Sequence, residues 1–405
     1  MTFEELNKLM NPEILKIIKQ NENESPDSYV LKNTKNKELP IRAIAEQISC
    51  RKKAKKKLPS FNNSDFLYNP VSLEQCSGDA AAKFKSGLLK GTRILDMTGG
   101  LGIDDLYFSK NFNELIYCEM DKTIFRMTEY NFKNLKIDNV KFINNDSAVE
   151  LDKFADNYFD WIYLDPARRD GNKRSVDLNY CSPNVIELQQ KLLTKSKNVC
   201  IKVAPAYDIT EAIRTFQNLK NVFVVSVDGE CKEGLLFLER KYEGDTGIKA
   251  VILNSVSDTI QQIESIYQSE IKNEVISSTL KYFFEPDAAI IKAGLTKKLA
   301  KDVGLNFLNL NVDYLVGNCE IMQFPGRQFE LLAQSSFKPP LLKSYLKQNK
   351  IKKANFSKRD FPHSVDDLRK KFKIADGGED YFFFTKNSEN KLIYIHAKKI
   401  GNKAK

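Results

Sequence analysis

The sequence predicts an α/β protein with a mostly parallel sheet, and three observations carry that expectation. From about residue 93, short apolar runs alternate with helical stretches every 20–30 residues or so. The first of these runs, TRILDM, opens into a glycine-rich turn. The next runs each end in an acidic residue, at the sheet edge where such folds place their ligands.

The elements follow in chain order. EELNKLMNPEILKIIKQ and IRAIAEQISCRKKAKKKLP repeat apolar residues at helical intervals, so residues 1–60 are expected to be mainly helical. The cationic run RKKAKKK (residues 51–57) is either a solvated helix end or a nucleic-acid contact. Strands are expected at TRILDM, ELIYCEMD, VKFINND, FDWIYLDPAR and NVCIKVAP, with helices through KTIFRMTEYNFKNLK, NVIELQQKLLTKS and DITEAIRTFQNL. VFVVSVD and GLLFLER are close enough to form an antiparallel pair. Beyond residue 246, KAVILNSV reads as a strand and DTIQQIESIYQSEI as a helix or loop. YFFEPDAAIIKAGLTKKLAKDVGL reads as one helix with Pro286 in its first turn. A helix at SVDDLRKKFK and a hairpin of DYFFFTKN with KLIYIHAKK complete a small α+β module. The three successive phenylalanines of that hairpin are read as core.

Composition narrows the function classes. Hydrophobic residues make up 42% and charged residues 29% of 405 positions, an ordinary globular balance spread over two or three domains. No stretch is long and apolar enough for a membrane span, and the N-terminus lacks the basic-then-apolar pattern of a signal peptide. Seven scattered cysteines, none in a CxxC, fit free thiols and a cytoplasmic location. With only two histidines, His363 and His396, no metal site is expected. Residues 331–405 hold 18 Lys/Arg against seven Asp/Glu, so the chain's net charge of +10 is concentrated there. That points to a polyanionic partner, RNA being the expectation.

The sharpest motif is ILDMTGGLGIDD, residues 94–105. A strand ends at Asp96, and Thr98, Gly99, Gly100 and Gly102 form a turn into a helix. Glycines let a ligand approach the main chain closely. A carboxylate beside that turn would repel phosphate but suits a ligand with positive charge, such as S-adenosylmethionine (SAM), which carries an ammonium and a sulfonium. Glu119 ends the second strand, where an acid can accept from both ribose hydroxyls, with Asp121 as its rival. Asp146 follows the third strand and can accept from an adenine amine. Asp165 and Pro166 sit at the tip of the fourth strand, where the transferable methyl group would lie.

The ordered set DMTGGLG, CEMD, NNDS and LDPAR resembles class I SAM-dependent methyltransferases over roughly residues 75–245. EQCSGDAAAKFKS, EPDAAIIKAG and LRKKFKIADGGEDYFFFT are similar to segments of a bacterial group, assigned as RNA methyltransferases, with a C-terminal THUMP-like domain. The resemblance implies a Rossmann-like sheet with a helical N-terminal segment and a small α+β C-terminal domain. Taken with the residue patterns, four parts are expected: residues 1–75 mainly helical, 76–245 SAM-binding, 246–330 a helical or mixed connecting region, and 331–405 a basic THUMP-like α+β domain. Asp96, Thr98, Gly99, Gly100, Gly102, Glu119 and Asp146 would hold the cofactor. Asp165 and the Pro166 carbonyl would orient an acceptor amine. Ala167 and Arg168 stand where amino-methyltransferases have a proline and an aromatic ring.

Substrate contacts are expected from Gln75, Arg168, Arg169 and Tyr207; Glu74 and Asp208 lie beside two of them. Arg168 and Arg169 either hold an anion or pair with Asp165 or Asp170. Cys181, in YCSPN, is a possible nucleophile for carbon methylation, although Ser182-Pro183 also reads as a helix cap. The expected function is methylation of RNA at a base nitrogen. The alternatives are a protein or small-molecule acceptor, or a non-catalytic RNA-binding protein with this body. The sequence does not indicate an oligomeric state.

Overall fold

The computed structural model describes residues 1–36, 38–61, 65–168 (for Arg168 the backbone only), 178–275 and 280–401. It divides into two compact units, Met1–Val222 with Lys232–Thr246, and Phe223–Cys231 with Gly247–Lys405.

The first unit opens with helices Phe3–Leu9, Pro12–Gln20, Pro26–Asn33 and Ile41–Lys57. Local chemistry starts each of the first three. Thr2 and Glu5 form a capping box, and Asn11 and Ser25 cap helices whose first residue is proline. Their apolar stripes (Leu6, Leu9, Ile18, Ile44, Ile48) join one core with Leu101, Leu106, Met127 and Phe132 of the following domain. Each such side chain, fully buried, contributes about 1.5–3 kcal/mol, so these helices are part of the domain's core. The cationic run is largely committed within the chain. Lys52 donates to the Glu24 carbonyl, Lys53 pairs with Glu74, Lys55 pairs with Glu22, and Lys57 donates to the carbonyls of Leu73 and Glu74.

The sheet of this unit is built from β1 (Arg93–Asp96), β2 (Glu114–Cys118), β3 (Val140–Ile143) and β4 (Phe159–Leu164). A two-residue pair follows, β5 (Ala167–Arg168) with β6 (Cys181–Ser182). Then come β7 (Ser196–Val203), β8 (Leu219–Val227), in which the division between units falls, and β9 (Glu230–Glu239). The order β9-β7-β4-β1-β2-β3 is parallel except for the β7·β9 pair. The order reverses at β1, whose neighbours are β2 and β4. A crevice therefore opens at the carboxyl ends of β1 and β4. In register, Asp96 sits beside Tyr117 on one side and Tyr163 on the other.

In the second unit β10 (Gly247–Leu253) pairs antiparallel with β11 (Ile260–Ile266). A seven-stranded sheet follows: β12 (Tyr282–Pro286), β13 (Asn306–Asn309), β14 (Val312–Gly317), β15 (Gly326–Ser336), β16 (Asn355–Lys358), β17 (Asp380–Lys386) and β18 (Leu392–Lys399). Strand alternation splits the three phenylalanines. Phe382 and Phe384 pack with Leu342, Leu346 and Leu368 of the helices Pro339–Gln348 and Val365–Phe372, while Phe383 packs with Phe283 and Phe329 on the other face. All three are fully buried, as expected.

Several expectations are corrected here. DTIQQIESIYQSEI contains strand β11. YFFEPDAAIIKAGL is strand β12, ending at Pro286, followed by helices Ala288–Lys292 and Thr296–Val303, the first capped by Asp287. Ser182-Pro183 is not a helix cap; Asn184 caps the helix Val185–Lys195, and Ser182 lies in β6. The boundary expected after residue 330 falls inside β15, and β12–β14 share a sheet with β15–β18.

Candidate active site

A cavity of about 330 Å³ lies at the crevice of the first unit. It is lined by Asp96, Thr98 and the glycine turn, by Glu119, Met120 and Asp146, and by Asp165, Ala167, Ser182 and Pro183. The segment Ser72–Ser77 supplies Ser72, Gln75, Cys76 and Ser77 to the same wall. A cavity of this size suits a small-molecule ligand.

The turn requires its glycines. A Cβ on Gly99 would lie 2.1 Å from the ring of Tyr117, and Gly102, at φ +68°, would meet Phe132 and Thr128. Gly100 has φ +54°, its N–H donates to Glu119 Oε2 at 3.0 Å, and its carbonyl accepts from Thr128 Oγ1 at 2.7 Å and the Tyr117 hydroxyl at 2.5 Å. Glu119 Oε1 accepts from the Asp121 N–H at 2.7 Å. The second strand end is thus bonded to the turn, while Asp121 caps the next helix. Asp146 caps the short helix Ser147–Glu150 and lines the cavity.

Thr98 connects the two acids at the centre. Its N–H and hydroxyl donate to Asp96 Oδ1 at 2.7 and 3.2 Å, and its hydroxyl oxygen accepts from the Asp165 N–H at 2.6 Å. The end of β1 and the tip of β4 are held in one arrangement.

Behind them is a buried charge network that sequence reasoning missed. Lys85, fully buried, lies 3.0 Å from Asp104 and 3.0 Å from Glu233, and donates to Ser77 Oγ at 2.6 Å. The Tyr163 hydroxyl donates to Asp104 Oδ2 at 2.7 Å. Lys202, on β7, forms an ion pair with Asp165 Oδ2. The signal was present: a lysine inside the apolar strand NVCIKVAP and another inside the alanine-rich helix Asp79–Leu88 are each out of pattern.

Burial dominates the titration of this region. It pushes Asp96 up to about 7, with the neighbouring Asp104 charge adding to the effect. Asp105, also fully buried, is raised further by burial and by Asp96 and Asp104. Burial alone would raise Asp104, but Lys85, Lys202 and the Tyr163 hydroxyl outweigh it and hold Asp104 below the usual aspartate value. Glu119 is raised by burial. The result is one paired carboxylate, Asp104, next to acids that burial holds above their ordinary values.

The structure brings together Gln75, Asp96, Thr98, Gly99, Gly100, Gly102, Glu119, Asp146 and Asp165 around this cavity. Tyr207 is only 2% exposed and is not among the lining residues. Arg169 and the side chain of Arg168 lie outside the described residues. Cys181 is buried in β6 and does not line the cavity, although Ser182 does. Among the described residues, no group of three His, Cys, Asp or Glu is placed to hold a metal ion, and no helix is long and apolar enough to cross a membrane.

Two family models match the chain: "Conserved hypothetical protein 95" over residues 80–223 and "THUMP domain-like" over residues 326–399. An uncharacterized S-adenosylmethionine-dependent methyltransferase of Mycobacterium tuberculosis is 22% identical over 361 residues, covering 87% of this chain and 95% of that protein. A tRNA (uracil(54)-C(5))-methyltransferase of Pyrococcus horikoshii is 30% identical over 125 residues, 30% of each chain. A crystal structure of a protein assigned as a methyltransferase, from Porphyromonas gingivalis W83, superposes with a TM-score of 0.81 at 27% identity, covering 96% of this chain and 98% of that one.

Proposed function

We propose that this chain, a member of the class I SAM-dependent methyltransferases with a THUMP-like C-terminal domain, transfers the methyl group of SAM to a nitrogen of an RNA base. The observation that carries the reading is Thr98, which ties the acid beside the glycine turn to the acid at the tip of β4. The group to be bound and the group to be oriented therefore share one cavity. SAM supplies an electrophilic methyl on a positively charged sulfur.

Gly99, Gly100 and Gly102 leave room for a ligand against the main chain. Asp96 offers a carboxylate to an ammonium, Glu119 to ribose hydroxyls, and Asp146 to an adenine amine. Methyl transfer is an in-line displacement, so what the protein adds is alignment. Asp165 Oδ2 is held by Lys202, and Oδ1 has no partner among the described residues. Oδ1 and the Pro166 carbonyl are the acceptors toward which a base N–H is turned. A nitrogen acceptor is favoured over a ring carbon by the cysteines present. Methylating an unactivated pyrimidine carbon calls for a thiolate. Cys181 is buried and does not line the cavity, and the two cysteines that do, Cys76 and Cys118, are pushed up by burial to about 11 and about 12. RNA as the substrate rests on the basic C-terminal region, the THUMP domain-like match and the tRNA-modifying relative.

The test is transfer of tritiated methyl from SAM into RNA, protein and small-molecule fractions of cells lacking the gene, followed by nucleoside mass spectrometry of labelled RNA. Label in one N-methylated nucleoside is expected. Label confined to protein or small molecules, or a C-methylated base, would overturn the acceptor assignment.

A further inference from the structure

Lys202 is an unusual residue for its position. It lies on β7, one strand over from β4, with a side chain only 11% exposed, and its ammonium meets the one carboxylate at the β4 tip. A lysine withdrawn this far from water loses hydration that only a fixed counter-charge replaces. Asp165, Asp104 and Glu233 supply that charge, and together they keep Lys202 protonated above the ordinary lysine range despite its burial. The second buried lysine, Lys85, takes up Asp104 and Glu233 directly, at 3.0 Å each. Asp165 is therefore the direct partner of Lys202.

We propose that Lys202 is a positioning residue for methyl transfer: by binding Oδ2 it fixes the Asp165 carboxylate so that Oδ1 faces the acceptor nitrogen. The inference rests on the reading of Asp165 given above. A free aspartate at a strand tip rotates about χ1 and χ2 and samples orientations useless to the acceptor. An ammonium anchored in the sheet removes that freedom before substrate arrives. The same cation engages one carboxylate oxygen, which leaves Oδ1 as the oxygen open to an acceptor N–H.

The experiment compares wild type, Lys202→Met, Lys202→Arg, Asp165→Asn and the double variant Asp165→Asn/Lys202→Met in the full chain. Each is measured for thermal unfolding, SAM affinity by calorimetry, and kcat and KM on labelled RNA. Lys202→Met should lower kcat at least tenfold while SAM affinity stays within about threefold, and Lys202→Arg should restore most of the loss. In the Asp165→Asn background, removing Lys202 should cost little more, because the two act through one atom. An unchanged kcat in Lys202→Met overturns the proposal. So does a fall in SAM affinity that matches the fall in kcat, or full additivity in the double variant. If Lys202→Met fails to fold, Lys202→Arg alone decides: kcat near wild type supports positioning by a cation, and loss of kcat as deep as that of Asp165→Asn overturns it. Wild-type protein that binds no SAM would instead remove the reading beneath, and this inference with it.

Discussion

Lys85 and Glu233 stand 148 positions apart in the chain and meet at 3.0 Å with both side chains buried. Lys85 belongs to the helix preceding the first sheet strand and Glu233 to β9, with Asp104 as the third member. Replacing Lys85 with Met would leave two buried carboxylates without their cation. Loss of one partner from a buried ionic network costs about 3–5 kcal/mol. Urea denaturation of Lys85→Met should show a loss of that size, and Lys85→Met/Glu233→Gln a smaller one. Equal losses in both would mean that the charges are not coupled.

The close approach of Gly99 to Tyr117 makes another test. Gly99→Ala places a methyl group inside the Tyr117 ring, which is fully buried and bonded to the Gly100 carbonyl. Overpacking of this kind costs about 1–3 kcal/mol or more, and here it displaces the turn as well. Reduced stability together with lost SAM binding is expected. A stable variant that binds SAM normally would show that the turn tolerates a side chain.

Glu119 tests the cofactor assignment. Glu119→Gln keeps the shape but weakens acceptance by a charged oxygen. Hydrogen bonds to charged groups contribute about 1.5–3 kcal/mol, so SAM affinity should fall about 10- to 100-fold in calorimetry. An unchanged Kd would place the ribose elsewhere.

The raised acids give a pH signature. Asp96 is pushed up to about 7 in the folded protein, above its ordinary 3.8. A carboxyl raised on folding contributes stability that is complete below its unfolded value and is lost as the pH climbs through the folded value. Asp96→Asn removes that loss. The variant should therefore gain stability relative to wild type as the pH rises from about 4 to about 8, by urea denaturation at each pH. A constant difference between the two proteins contradicts the assignment.

Lys343, Lys347 and Lys350 are exposed on and just after the helix Pro339–Gln348. If they meet RNA phosphates, changing all three to Gln should weaken RNA binding and reduce the slope of log K against log salt by about two, at about 0.7 per phosphate of a single strand. Unchanged affinity and slope would locate the RNA contact on another surface.

The strands, the glycine turn and the acids at their ends were legible because each is a local pattern. An apolar run, a turn that needs glycine and an acid at a strand end are all read within a dozen residues. The charge network was not legible, because it depends on which distant residues the sheet brings together. Lys85 and Lys202 stand out of pattern locally, but only the fold shows that their partners are Asp104, Glu233 and Asp165. RKKAKKK read as either a solvated helix end or a nucleic-acid contact; in the fold Lys53, Lys55 and Lys57 are taken up by Glu74, Glu22 and main-chain carbonyls. Strand β12 was misread as helix because Pro286 suggested a helix start, whereas here proline ends a strand and Asp287 begins the helix. Tyr207 was expected at the substrate entrance from its place after β7, but its side chain turns into the interior.

The most direct measurement is a crystal structure of the protein with S-adenosylhomocysteine. The adenosyl group is expected in the cavity of the glycine turn, with its ribose hydroxyls on Glu119, its amino group toward Asp96, and its sulfur facing Asp165. A cavity left empty at saturating ligand, or occupied instead by a pyrophosphate compound, would contradict it.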